Sequence, residues 1–215
     1  MKIVTLETNP LGDAVHEELS KFFEVTRVNV TEHFIPAYDD INGLQGETFI
    51  SPLIELMKGV APEGTICAGT SGEFHHLTFG ICANLNSQLS YVHIDNHEDR
   101  TPRSSGDLFI NYGNPGDQFI DCGNFVQDID SLPNIDKVYW NEMPEGKDVY
   151  LSVDLDVLSK DYINTRYDQG DLTPEQLIEQ VSRIKSTNNI ISADIFGYTS
   201  GPVEFYKEII EAITE

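Results

Sequence analysis

Asp148-Val149-Tyr150-Leu151-Ser152-Val153, Thr173-Pro174-Glu175-Gln176 and Ile190-Ile191-Ser192-Ala193-Asp194-Ile195 follow one another along the chain. The first and third runs are short and rich in Val, Ile, Leu and Tyr, as strands are. Between them, Thr173 reads as a helix cap, with Pro174 at the first helical position and Glu175 and Gln176 behind it. This predicts a helix to about residue 186. Working outward, residues 202–213 read as a closing helix. Further strands are expected at 2–6, 24–28, 65–68, 90–95 and 137–140, with weaker candidates at 107–111 and 118–121. Helical patterns cover 11–23, where Val15, Leu19 and Phe22 share a face, 49–58, with Pro52 in the first turn, and 76–86. Residues 32–45, with Pro36 and Gly43, read as loop. The expected fold class is α/β: one three-layer α/β/α domain over residues 1–215 with a mostly parallel sheet covered on both faces. Ligands of such sheets sit at the carboxyl ends of the strands, so chemistry is sought there.

Composition narrows the function. The chain has 215 residues, 36 Asp and Glu against 13 Lys and Arg, and a formal net charge of −23. Such acidity repels phosphate backbones and anionic lipid, so nucleic acid and membranes are poor partners and a small-molecule substrate is expected. Most of the acidity reads as a device for solubility. Cys67, Cys82 and Cys122 are odd in number and lack close pairing, which fits reduced thiols and a cytoplasmic location. Residues 1–6 read as a strand with no signal-peptide pattern, and no apolar run approaches the roughly 20 residues that span a bilayer. The sequence leaves a homo-oligomer open.

Three clusters carry candidate chemistry. Asp95-Asn96-His97-Glu98-Asp99 ends a predicted strand. If the backbone stays extended, alternation puts Asp95, His97 and Asp99 on one side. Two carboxylates with an imidazole suit Mn, Zn or a similar divalent ion better than Ca, although a polar loop after a strand gives the same pattern. Asp154-Leu155-Asp156 continues an apolar strand, and burying two like charges is costly unless a cation lies between them. In Gly72-Glu73-Phe74-His75-His76, a histidine stands at a glycine-rich strand-to-helix junction. Alone it would more often read as structural or as a surface residue.

Taken together the clusters resemble the arginase/agmatinase (ureohydrolase) family, whose pattern is G-G-D-H, then D-A-H-x-D, then S-x-D-x-D. Gly72-Glu73-Phe74-His75 with Leu77-Thr78-Phe79-Gly80-Ile81 matches the first segment and selects His75 over His76. Asp95-Asn96-His97-Glu98-Asp99, preceded by His93 as in many agmatinases, matches the second. Ser152-Val153-Asp154-Leu155-Asp156 matches the third. The resemblance implies an arginase-like fold and two divalent metal ions, Mn in the first instance. One would be held by His75, Asp95, Asp99 and Asp154, the other by Asp95, His97, Asp154 and Asp156. It also implies hydrolysis of a linear non-peptide C–N bond, in an amidine, guanidine or amide, by a hydroxide bridging the ions, with Asp99 as the catalytic proton carrier.

Three departures bear on the substrate. Gly197 stands where arginases carry a Glu against the guanidinium. Phe109, after Ser105-Gly106-Asp107-Leu108, stands where the family has its proton-shuttle His. Tyr167-Asp168-Gln169-Gly170-Asp171-Leu172-Thr173 lacks the family's prolines. Arginine and agmatine are therefore not the expected substrates. Arg100 and Arg103, just past the second cluster, are candidate binders of an acidic group on the substrate, though pairing with acids such as Glu98 or Asp107 competes with that role. A deacetylase-like amidohydrolase with one Zn, and a non-catalytic metal-binding relative, remain the alternatives.

Overall fold

A computed structural model describes residues 1–7, 11–30, 37–39, 43–45, 48–101 and 119–215. The elements are β1 (Lys2–Glu7), α1 (Leu11–Leu19), β2 (Val25–Asn29), β3 (Ala37–Asp39), β4 (Gly43–Gln45), β5 (Thr48–Phe49), α2 (Ile50–Met57), β6 (Thr65–Ala68), α3 (Leu77–Cys82), β7 (Leu89–Ile94), β8 (Phe119–Ile120), α4 (Phe125–Ile129), β9 (Ile135–Trp140), β10 (Asp148–Asp154), α5 (Pro174–Thr187), β11 (Asn189–Phe196) and α6 (Glu204–Thr214). Seven strands form one sheet in the order β2-β1-β6-β11-β10-β7-β9, and every pairing in it is parallel.

Alternation along the strands sorts two cores. Ile66 and Ala68, Val92 and Ile94, Val149, Leu151 and Val153, and Ala193 and Ile195 pack with Val15 and Leu19 of α1, Leu177, Val181 and Ile184 of α5, and Ile209 and Ile213 of α6. The opposite face presents Cys67, Leu89, Tyr91, Tyr150 and Phe196 to Leu53 and Met57 of α2, Leu77 and Phe79 of α3, and Phe125 and Ile129 of α4. This is the expected three-layer arrangement, and residues two apart on a strand share a helical layer. By the same parity His93, Ser152 and Asp194 turn toward the α2–α4 layer.

The Thr173 cap holds α5 as read: Thr173 Oγ1 accepts from Gln176 N, while Gln176 Oε1 accepts from Thr173 N. Other expectations are corrected. The helix over 11–23 ends at Leu19, and Phe22 is exposed beneath the Lys207 ammonium rather than on the buried face. The helix over 76–86 shortens to α3, preceded by a 3₁₀ turn, Gly72–Phe74. The strand near 118–121 becomes β8, which pairs antiparallel with β5 outside the main sheet. Within 32–45, β3 and β4 form a short antiparallel pair, and the rest of that stretch lies outside the described residues, as does the candidate strand at 107–111. Cys67, Cys82 and Cys122 are free. No helix among the described residues is long and apolar enough to cross a membrane.

Gly69, just after β6, sits under the Phe196 ring: a Cβ there would lie 2.0 Å from Phe196 Cε1. Gly69→Ala should therefore force Phe196 aside and destabilise the fold by about 1–3 kcal/mol. The measurement is the urea midpoint, with Phe196→Leu in the same background expected to recover part of the loss.

Candidate metal centre

The carboxyl ends of β7, β9 and β10, with Gly72 after β6, border a cleft of about 580 Å³, lined among others by Asp95, His97, Asp99, Asp154, Asp156 and Arg100. His75 is delivered by the chain that leaves β6. It follows the Gly72–Phe74 turn, and its ring packs among Phe125, Phe196 and His93 at centroid distances of 5.0, 5.2 and 5.2 Å. Its Nε2 donates to Ser152 Oγ at 2.7 Å, and Ser152 Oγ donates to Asp194 Oδ1 at 2.7 Å. Asp194 also accepts from Thr78 Oγ1 and Tyr150 Oη, at 2.6 and 2.7 Å. This relay fixes the imidazole edge-on, with Nδ1 facing the cleft, 3.2 Å from Asp95 Oδ2 and 3.2 Å from Asp154 Oδ2.

The six donors of the sequence clusters come together, but not all by the expected route. Asp95 follows β7 directly. Beyond it the backbone does not stay extended: Asp99 adopts φ +51°. That left-handed turn, tolerated better by Asp than by most residues, swings Asp99 Oδ2 to 3.9 Å from His75 Nδ1 and 3.7 Å from His93 Nε2. Asp156 is not within the strand either. It lies in a 3₁₀ turn, Leu155–Val157, where Asp154 Oδ1 accepts from its N–H at 2.9 Å. His97, the most exposed donor at 37%, places Nδ1 2.7 Å from Asp156 Oδ2. Arg100 lines the cleft and pairs with Asp130 and Glu98, at 3.2 and 3.5 Å. Arg103, Phe109 and residues 105–108 lie outside the described residues.

Electrostatics at this end of the sheet follow from crowded, buried acids. Burial, with Asp154 and Asp95 nearby, pushes the Asp156 carboxyl up to about 9, and burial lifts Asp99 to about 6. Burial opposes the charged form of His93, but the Asp95 carboxylate outweighs it and raises the ring to about 9. Asp95 is held well below the usual range by its three imidazole neighbours despite burial. Two groups of donors, each within 4.8 Å, share Asp95: His75, His93 and Asp95, and Asp95, His97 and Asp156. His75 Nδ1 and His93 Nε2 are buried without an aligned hydrogen bond. Orphaned imidazole nitrogens facing a cluster of carboxylates suit divalent transition ions.

Several contributors escaped sequence reading. Asn141, at φ +51°, accepts from Asp95 N and donates to Asp95 O, at 3.2 and 2.7 Å, and Trp140 Nε1 donates to the same carbonyl at 3.2 Å. Cys122 and Tyr167 line the cleft and meet through Sγ and Oη at 3.3 Å. The buried partner Asp194 left a trace in the sequence as an acid within an apolar strand.

The fold has close counterparts among solved structures. The proclavaminate amidino hydrolase of Streptomyces clavuligerus superposes with a TM-score of 0.64 over 99% of this chain and 89% of its own, at 13% identity. The chain has the ureohydrolase fold. Formimidoylglutamase of Bacillus subtilis (TM-score 0.61, 11% identity, 99% of this chain and 85% of that one) and the agmatine ureohydrolase of Thermoplasma volcanium (0.60, 12%, 99% and 88%) are similarly related. By sequence, an uncharacterised protein of Thermotoga maritima is 27% identical over 158 residues, a match spanning 63% of this chain and 58% of that relative. No protein-family model matches.

Within this fold Gly197 has its own role. It lies at φ +99°, and a Cβ there would fall 2.0 Å from Asp154 Oδ1, while one at Gly72 would fall 2.9 Å from Asp154 Oδ2. The two glycines clasp the carboxylate, and no side chain at 197 can offer a Glu to a guanidinium. Asp194 cannot substitute, being wholly buried behind His75. Gly197→Ala should cost about 1–3 kcal/mol through backbone strain and displace Asp154. Thermal melts with and without Mn²⁺ should show a lower apo midpoint and a smaller metal-induced rise than in the wild type.

Proposed function

We propose that this protein is a hydrolase of the ureohydrolase type that cleaves a linear non-peptide C–N bond at a pair of divalent ions, with Mn the metal implied by the sequence resemblance. The observation that carries this reading is that His75 on one side and His97 with Asp156 on the other converge on Asp95, at the carboxyl edge of an arginase-like sheet. His75, Asp95, Asp99 and Asp154 would hold the inner ion. Asp95, His97, Asp154 and Asp156 would hold the outer one. Such an ion pair supplies a water activated near neutral pH and an electrophile for the substrate. The names of the similar structures, an amidino hydrolase, a formimidoylglutamase and a ureohydrolase, agree with attack at an amidine-like carbon.

The chain's own residues supply the rest. Asp99 lines the cleft and is the group that would carry a proton to the leaving nitrogen. Trp140 and Tyr167 form aromatic walls. Arg100, with Arg103, is assigned to an acidic group on the substrate. For Arg100 that group must compete with Glu98 and Asp130, so the gain is smaller than for an unpaired guanidinium. A single-Zn deacetylase-like site would have little use for Asp99 and Asp156, and a non-catalytic relative would bind ions without turnover.

Protein purified with Mn²⁺ and dialysed should hold close to two ions per chain by elemental analysis, and Asp154→Ala should lose both. One tight ion unaffected by Asp156→Ala would favour the deacetylase-like reading.

Substrate choice follows from Gly197. A missing charge-assisted partner costs about 1.5–3 kcal/mol of binding, so arginine and agmatine should release negligible urea from the Mn-loaded protein. N-acyl or N-formimidoyl amino acids are the expected substrates of the same Mn-loaded protein, read by release of the free amino acid. Robust urea release from either guanidino compound would sink this assignment.

A further inference from the structure

His93 lies outside the six donors drawn from the sequence clusters, yet its geometry is that of a ligand. The alternation of β7 turns it, with Tyr91, toward α4, and it is wholly buried. Its Nε2 stands 3.2 Å from Asp95 Oδ2 and makes no aligned hydrogen bond. His75 Nδ1 stands 3.2 Å from the same oxygen and 3.2 Å from Asp154 Oδ2. Donors bound to one ion at roughly 2.0–2.1 Å in a tetrahedron lie about 3.3 Å apart. The three separations therefore match edges of one coordination shell. Charge-assisted hydrogen bonds are shorter, about 2.7–2.9 Å, and His97 Nδ1 to Asp156 Oδ2, at 2.7 Å, shows that length within the same site. On the far side of the ring, Nδ1 is 3.1 Å from Tyr91 Oη. In the liganding tautomer Nδ1–H donates to that hydroxyl oxygen and leaves the Nε2 lone pair facing the donors.

We propose that His93 Nε2 is a further ligand of the inner ion, which thereby takes two imidazoles, His75 and His93, beside Asp95, Asp99 and Asp154. The proposal rests on the metal-centre reading given under Proposed function and extends it. A second imidazole raises the preference of the inner position for Zn²⁺ or Co²⁺ over Mn²⁺, since imidazole suits the former and carboxylate and water suit the latter.

The test is NMR of the full chain carrying isotope-labelled histidine and loaded with an NMR-active cadmium isotope, with each imidazole assigned from its backbone. One-bond metal–nitrogen coupling should appear at His75 Nδ1, His93 Nε2 and one nitrogen of His97. Coupling at His75 and His97 but not His93 overturns the proposal and leaves the two-ion reading intact. Coupling at no histidine overturns both. In a second measurement, His93→Gln should lower the ratio of Zn²⁺ to Mn²⁺ affinity about tenfold, and an unchanged ratio in the folded variant counts against ligation. The wild-type spectrum decides the matter even if that variant does not fold.

Discussion

Acids buried together at one edge of a parallel sheet set the terms for the rest of the molecule. Asp95, Asp154, Asp156 and Asp194 are each no more than 3% exposed. Ionised carboxylates in such surroundings persist only when paired or generously hydrogen-bonded. The chain meets this demand in two ways. Asp194 collects three hydroxyl donors from Thr78, Tyr150 and Ser152. Asp95, Asp154 and Asp156 face imidazoles and backbone N–H groups instead. The first arrangement anchors a ring, and the second leaves a concentrated anionic surface lining a cleft.

The strands carry this arrangement because parity does two jobs. Val149, Leu151 and Val153 seal one face of β10, while Tyr150 and Ser152 pass polar groups to the other, where Asp194 of β11 meets them. The same hydroxyls that satisfy Asp194 also hold His75 through Ser152. Packing and site orientation are thus one set of contacts.

What was legible in the sequence followed from local rules. The Thr173 cap and the apolar strands each announce themselves within a few residues, and acids at Asp154 and Asp156 contradict their apolar setting. What was hidden depends on backbone turns and distant partners. The left-handed turn at Asp99 and the 3₁₀ turn holding Asp156 have no strong local signature, so the convergence expected from alternation is reached by a different geometry. Asn141 reads as an ordinary strand-end residue until β9 brings it beside Asp95. α4, only five residues long, is too short for helical periodicity to reveal, yet its Phe125 walls the His75 ring.

The walling of His75 by Phe125 and Phe196 has a kinetic consequence. His75 and His93 are at most 1% exposed, whereas His97 stands at the mouth with 37% of its side chain open. Among the described residues, Phe125 packs against both inner imidazoles and Phe196 against His75. If two ions bind as proposed, the one beside His75 would be reached past the position beside His97, so it would fill first and empty last. Exchange at depth would then be gated by departure at the mouth.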